Sequence, residues 1–298
     1  MRILVLGRTG QVGWELQRAL APLGELVSCG RSSADLTEPA SIARTIAEHE
    51  PDILVNAAAY TQVDRAEDDA DAAMRINTAA VGEMAEAMAA RGGWFVHYST
   101  DYVFDGAKAD AYKESDATAP LGVYGATKLA GEAAVMAAGG QHLIFRTSWV
   151  YAARGQNFVR TMLRLARERN SLRVVADQTG SPTSAELIAD VTALALKRIS
   201  DRGPDEGPIG GLYHLTAAGE TTWHGLASRV VAQAEQAGAT LSCRTADIEP
   251  IGTSDYPTPA KRPVNSRLDT TKLRETFRVN LPDWRHHVDR TVLELVER

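Results

Sequence analysis

The chain has 298 residues, 44% of them hydrophobic and 23% charged, with 32 Lys+Arg against 38 Asp+Glu and a net charge of −6. That is the composition of a globular protein able to bury its own core as two domains or one large one. The acidic balance argues against nucleic acid as a partner and leaves no polybasic membrane patch.

The first apolar run, Ile3-Leu4-Val5-Leu6, stops at glycine. It is too short for a signal peptide or membrane span and reads as a buried strand, so a cytoplasmic protein is expected. Val12, Leu16, Ala19, Leu20 and Leu23 share one helix face, closed by Pro22-Leu23-Gly24. Residues 25–29 read as a second strand, 41–48 as a helix, 52–56 as a third strand and the Ala/Met-rich stretch 72–91 as a helix. A fourth strand follows at 94–99, a helix at 124–138 and a fifth strand at 143–149. Strands alternating with helices of this size predict an α/β fold, a Rossmann-type doubly wound parallel sheet. Past residue 150 the rhythm loosens. Helices are expected around Phe158–Ala166, Leu187–Ala195, Trp223–Val231 and Val288–Val296, and strands at 172–176 and 212–216. Loops are expected at 201–211 and at the proline-bearing 251–263. Residues 1–150 are assigned as a dinucleotide-binding domain, completed by later segments within 171–245, and 151–298 as mainly a smaller α/β substrate-binding domain.

Gly7-Arg8-Thr9-Gly10-Gln11-Val12-Gly13 follows the first strand and opens the first helix. The turn must be tight, the backbone must approach a pyrophosphate and the helix must pack closely on the strand; each demand removes a Cβ. The helix N-terminus then offers free N–H groups to phosphate. An NAD-selective site places an acid about 20 residues beyond such a loop. Here the segment is Ser28-Cys29-Gly30-Arg31-Ser32-Ser33, with no acid before Asp35, which Leu36 follows. Arg31 suits a 2′-phosphate, so NADPH is preferred over NADH. Asn56-Ala57-Ala58-Ala59-Tyr60, with Thr61 beyond, ends the third strand in small residues that let a cofactor lie across the sheet edge.

Tyr124 and Lys128 form Y-x-x-x-K, one face of a helix. An ammonium there, together with an oxidised nicotinamide, would favour phenolate and lower the tyrosine pKa, fitting Tyr124 as proton donor to a carbonyl. Thr100, in Ser99-Thr100-Asp101 at the end of strand four, supplies a hydroxyl for the substrate oxygen.

In this order these motifs resemble the extended short-chain dehydrogenase/reductases. Tyr98-Ser99-Thr100-Asp101-Tyr102-Val103-Phe104-Asp105-Gly106, Val123-Tyr124-Gly125-Ala126-Thr127-Lys128 and Phe145-Arg146-Thr147-Ser148-Trp149-Val150-Tyr151 narrow the likeness to the branch that reduces dTDP-4-dehydrorhamnose. Asn157-Phe158, Asp177-Gln178, Pro182-Thr183, Arg262-Pro263 and Leu281-Pro282-Asp283-Trp284 extend it over the whole chain. The resemblance implies NAD(P)H-dependent reduction of dTDP-4-dehydro-β-L-rhamnose to dTDP-β-L-rhamnose. Thr100, Tyr124 and Lys128 would be catalytic. Asp101, Trp149, Asn157 and Arg262 would join Thr100 on the sugar nucleotide. Gly7, Gly10, Gln11, Val12, Gly13, Gly30, Arg31, Asp35, Leu36, Ala57, Ala58, Ala59, Tyr60 and Thr61 would contact cofactor. Gly30 stands where other members carry aspartate, which again favours NADPH. A homodimer and a Mg²⁺ ion held through carboxylates at its interface, with Glu186 and Glu294 as candidates, are further implications. Thr183-Ser184-Ala185-Glu186 equally fits a helix capping box, and Glu294 a solvated helix face.

His286-His287, being adjacent, read as solvated histidines rather than metal ligands. The cluster Asp64-Arg65-Ala66-Glu67-Asp68-Asp69 reads as a solvated loop and helix start, and Cys29 as a small core residue. The alternatives are a sugar-nucleotide epimerase or dehydratase of the same fold, or a non-catalytic regulatory subunit. Tyr102 occupies the place of a dehydratase's second acid.

Overall fold

A computed structural model describes residues 1–203, 207 and 209–297; residues 204–206 and 208, in the loop expected at 201–211, lie outside the described residues. Six strands build the main sheet: β1 (Arg2–Leu6), β2 (Glu25–Cys29), β3 (Ile53–Asn56), β4 (Trp94–Thr100), β5 (Gln141–Thr147) and β6 (Gly211–His214). Their order is β6-β5-β4-β3-β1-β2, and every pairing is parallel. The chain runs outward from β1 to β2, then returns to β3 on the other side. That reversal opens a crevice at the carboxyl ends of β1 and β3, where open α/β sheets bind ligands.

A parallel sheet is buried on both faces, so its strands read as continuous apolar runs. Ile3, Val5, Val55 and Val96 point to one face, under α1 (Gln11–Leu20) and α6 (Ala185–Ser200). Leu4, Leu6, Leu54 and Phe95 point to the other, under α2 (Pro39–His49) and α3 (Ala80–Arg91). The second half of the chain supplies β6 to the main sheet. It also forms α5 (Phe158–Glu168), α7 (Trp223–Gln236), α8 (Trp284–Glu297) and three two-stranded pairs.

The expected helix over 72–91 is a run from Ala70 to Arg91 broken by a π turn at Arg75–Ala79. The turn inserts Asn77, fully buried, where it does local work: its Oδ1 accepts the Tyr60 N–H at 2.9 Å and its Nδ2 donates to the Tyr60 carbonyl at 3.1 Å. The fifth strand stops at Thr147, short of Trp149, whose φ of 49° belongs to no strand. A strand at Ile248–Ile251, parallel to Leu172–Val175, and a helix at Thr271–Phe277 were not expected. His286 is exposed as expected, but His287 is buried: consecutive positions turn to different faces, and the face of His287 is the core face with Val288.

The helix that carries Tyr124 and Lys128, α4 (Val123–Ala137), is fixed to the sheet by a buried ion pair. Arg146 on β5 donates from Nε and Nη2 to Glu132 at 2.8 and 2.6 Å, and Ser99 Oγ on β4 also donates to Glu132. The Glu132 side chain is 0% exposed and that of Arg146 4%. Removing one partner of such a pair strands the other charge without water. Glu132→Gln is therefore expected to lower the unfolding free energy by about 3–5 kcal/mol in denaturant titration.

Candidate functional site

A cleft of about 1050 Å³ opens along the carboxyl edge of the sheet. At one end lies the glycine turn. Gly7 has φ +85°, and a Cβ there would come within 2.8 Å of the Ala57 carbonyl carbon. A Cβ on Gly13 would run into the Gly7 carbonyl, so strand and helix touch backbone to backbone. Gly10, in extended conformation, is the N-cap of α1; no side chain caps that end and no acid sits in its first turn. The first amides of the helix thus face the cleft end unclaimed by any side chain, an arrangement suited to phosphate. Gly7, Gly10, Gln11 and Val12 line the cleft; Gly13 lies behind them as packing.

Arg31, Asp35 and Leu36 line one side of the cleft near the glycine turn, and Ala57, Ala58, Ala59 and Thr61 the floor beyond β3. The exposed Arg31 guanidinium pairs with Asp35 at 3.1 Å. Hydrogen bonds from the Thr37 backbone and hydroxyl hold the Asp35 carboxyl below its usual range, against a smaller desolvation effect. Gly30 does not line the cleft; the Arg8 side chain passes over it, and its Nε would lie 3.4 Å from a Cβ placed there. Arg8 is thus a second cation near this corner that the motif reading left aside. Tyr60 also lies off the cleft, its hydroxyl donating to Asp69 at 3.1 Å.

At the other end Thr100, Asp101, Tyr124, Lys128 and Trp149 line one wall. Thr100 Oγ1 donates to Asp101 Oδ1 at 3.1 Å and accepts the Tyr102 N–H at 3.2 Å. The second Asp101 oxygen is buried without a partner, as is the Thr147 hydroxyl, which also lines the cleft. Burial pushes the Asp101 carboxyl up to about 6, while the nearby Ser266 hydroxyl and the Thr100 hydrogen bond oppose the rise. Trp149 keeps its strained backbone by stacking on Trp223, 3.6 Å between centroids and 12° from parallel.

The lowering expected for Tyr124 depends on an oxidised nicotinamide, and the protein groups alone act the other way. Burial, followed by the Asp101 charge, pushes its phenol up to about 12, and a Thr100 hydrogen bond offsets little of this. Lys128 Nζ is held instead 2.6 Å from the Tyr98 carbonyl and 3.0 Å from His97 Nε2. Burial pulls Lys128 down to about 8, against the Glu132 charge.

Asn157 and Arg262, expected on the substrate, do not line the cleft. Asn157 caps α5 through the Arg160 N–H, and its Nδ2 donates to Gln11 Oε1 at 2.8 Å, tying the start of α5 to the glycine turn. Arg262 grips Asp64 through both terminal nitrogens at 2.8 and 2.7 Å. The acidic cluster is accordingly more than a solvated loop. Asp64 anchors Arg262, and Glu67 accepts the Val123 N–H at 3.0 Å at the start of α4. Glu186 and Glu294 stand off the cleft on α6 and α8, and Arg290 reaches Glu186 at 3.2 Å. No group of three or more ligating side chains occurs among the described residues.

The family described as RmlD substrate binding domain matches residues 1–297. The chain belongs to that family. A dTDP-4-dehydrorhamnose reductase of Burkholderia thailandensis is 51% identical to this RmlD-family chain over 298 residues, covering 100% of both. Among solved structures, a dTDP-4-dehydrorhamnose reductase from Clostridium acetobutylicum superposes with TM-score 0.89 at 32% identity, covering 100% of both chains. One from Bacillus anthracis, in complex with NADP, gives 0.87 at 32% identity over 98% of this chain and 99% of its own. Among the described residues, no helix is long and apolar enough to cross a membrane.

The buried carboxyl of Asp101 makes a stability prediction for this RmlD-family site. Its folded pKa lies above the ordinary value near 3.9, so its favourable contribution is complete below that value and is lost as pH rises through about 6. Asp101→Asn should therefore be more stable than the parent by roughly 1–3 kcal/mol at pH 8, with the difference vanishing below about pH 4. Unfolding curves at the two pH values check it.

Proposed function

We propose that this chain reduces dTDP-4-dehydro-β-L-rhamnose to dTDP-β-L-rhamnose with NADPH. The observation that carries the reading is one continuous cleft joining the Gly7–Gly10 turn to Thr100, Asp101, Tyr124 and Lys128. The full-length identity to reductases of that name supports the substrate, and the NADP-bound relative supports the cofactor.

The Gly7 cradle and the open amides of α1 bind the pyrophosphate, with Gln11 and Val12 beside it and Gly13 holding helix to strand. Arg31, released from Asp35, meets a 2′-phosphate, while Leu36, Ala57, Ala58, Ala59 and Thr61 shape the groove. When bound, the reduced nicotinamide supplies hydride to ring carbon four. Tyr124, a phenol throughout the neutral range, holds the proton that the ketone oxygen needs. Thr100 orients that oxygen, and the unpaired Asp101 oxygen accepts a sugar hydroxyl. Trp149 covers the sugar face, and Lys128 swings to the nicotinamide ribose and Tyr124. Asp101 is followed by Tyr102 and not by a second acid, which favours reduction over elimination of water. The division into a dinucleotide half and a substrate half belongs to the same proposal. So does the homodimer, to be measured by sedimentation.

A turnover assay with the 4-keto sugar nucleotide and each reduced cofactor tests the reading; no oxidation of either cofactor overturns it. Retention of a tightly bound nucleotide with no net consumption would instead identify an epimerase. Tyr124→Phe is expected to lose about 10²–10⁴-fold in kcat with NADPH binding kept, which fluorescence titration reads. Arg31→Ala should weaken NADPH by roughly 10–100-fold while leaving NADH unchanged, seen as a change in the ratio of the two KM values.

A further inference from the structure

His97 sits in mid-strand on β4, 1% exposed, in a strand otherwise built for apolar packing. A buried imidazole must place both nitrogens. Its Nδ1 lies 3.3 Å from Asn56 Nδ2, and its Nε2 lies 3.0 Å from Lys128 Nζ. The orientation of the Asn56 amide follows from its other contact: Oδ1 accepts the Ala58 N–H at 3.0 Å, which leaves the NH₂ group facing His97. An NH₂ group has no lone pair to offer, so it donates and Nδ1 accepts. The ring proton then resides on Nε2 and points at Lys128. An ammonium has no acceptor site, whereas an amine has one lone pair. A neutral Lys128 satisfies every partner: it donates to the Tyr98 carbonyl, accepts from His97 and turns its remaining N–H elsewhere.

We propose that Asn56 locks His97 as the Nε2–H tautomer, making His97 a positioning residue that donates to the uncharged amine of Lys128 and so stores a fraction of it in that form at the wall of the cleft. Among the charged and titratable groups around Lys128, the Glu132 charge favours the ammonium and burial outweighs it. On β4 they are the neutral His97 and Tyr98, on its own helix Tyr124 and Glu132, and Glu132 is held by Arg146 of β5. Burial, then the positive charge that Lys128 carries when protonated, holds His97 well below the usual histidine range, so it is not a competing cation. The role of this store in catalysis rests on the reading of Lys128 as the partner of Tyr124; the protonation pattern itself does not.

Imidazole ¹⁵N shifts of the histidine-labelled whole chain, without added cofactor, report the tautomer directly. A proton on Nε2 with Nδ1 accepting is expected; a proton on Nδ1 overturns the proposal. The ¹³Cε resonance of Lys128, assigned by its loss in Lys128→Arg, is titrated in parallel. His97→Gln puts a carbonyl acceptor where the ring donated, adds no charge, and should raise the Lys128 midpoint by about one pH unit, a tenfold change in proton affinity. An unchanged or lower midpoint also overturns the proposal. Should His97→Gln fail to fold, the parent spectra still decide the tautomer. A chain with this proton pattern that does not turn over the 4-keto sugar would refute the functional reading alone.

Discussion

The pair between Glu132 and Arg146 is the contact on which the geometry of the reactive end depends. Both charges have left water, so the cost of burying them is recovered only while the two-pronged hydrogen bonding persists. Each partner sits on a different element, and Ser99 of a third adds its hydroxyl. Helix α4 cannot slide or rotate against β4 and β5 without losing all three bonds together. Tyr124 and Lys128 lie eight and four residues before Glu132 on the same helix, close to one face. A structural ion pair two turns away thereby sets where the phenol and the amine meet the Thr100 strand end.

A second constraint is charge. The chain carries a net −6, yet its cleft must receive polyphosphates. The obvious cations are engaged with carboxylates: Arg31 with Asp35, and Arg262 with Asp64. What remains is mostly backbone. The first amides of α1 have no acid and no capping side chain to occupy them, so a fixed array of N–H dipoles supplies the positive end that the composition lacks. Such dipoles need little reorganisation when the ligand arrives, in contrast to arginines that must first leave a partner.

The main sheet was legible because its inner strands, such as β1 and β3, are buried on both faces and read as apolar runs between helical segments. The glycine turn and Y-x-x-x-K were legible because their spacing is local. What was missed depends on distant partners. Ile248–Ile251 contains Pro250 and exists as a strand by virtue of its pairing with Leu172–Val175. Thr271–Phe277 is too short to show a face, and it ends at Arg278 in a left-handed conformation. Asn157 and Arg262 are polar residues in motif-rich company, yet their partners are Gln11 and Asp64, 146 and 198 residues away. His97 did carry a signal: a histidine inside a strand buried on both faces demands a polar partner, and that demand leads to Asn56 and Lys128.

The π turn at Arg75–Ala79 has a further consequence. It is a surplus of one residue in a helix that would otherwise run unbroken, and it gives up regular i to i+4 bonding to present Asn77 to Tyr60 and Thr127. Deleting one residue there would restore a uniform helix with its flanking turns still in register, because the wide turn is what absorbs the extra residue. Asn77 would leave the Tyr60 backbone, and the floor after β3 would lose its tether. At this position length matters beside identity: without the surplus residue the helix keeps its course but no longer presents Asn77 to Tyr60 and Thr127.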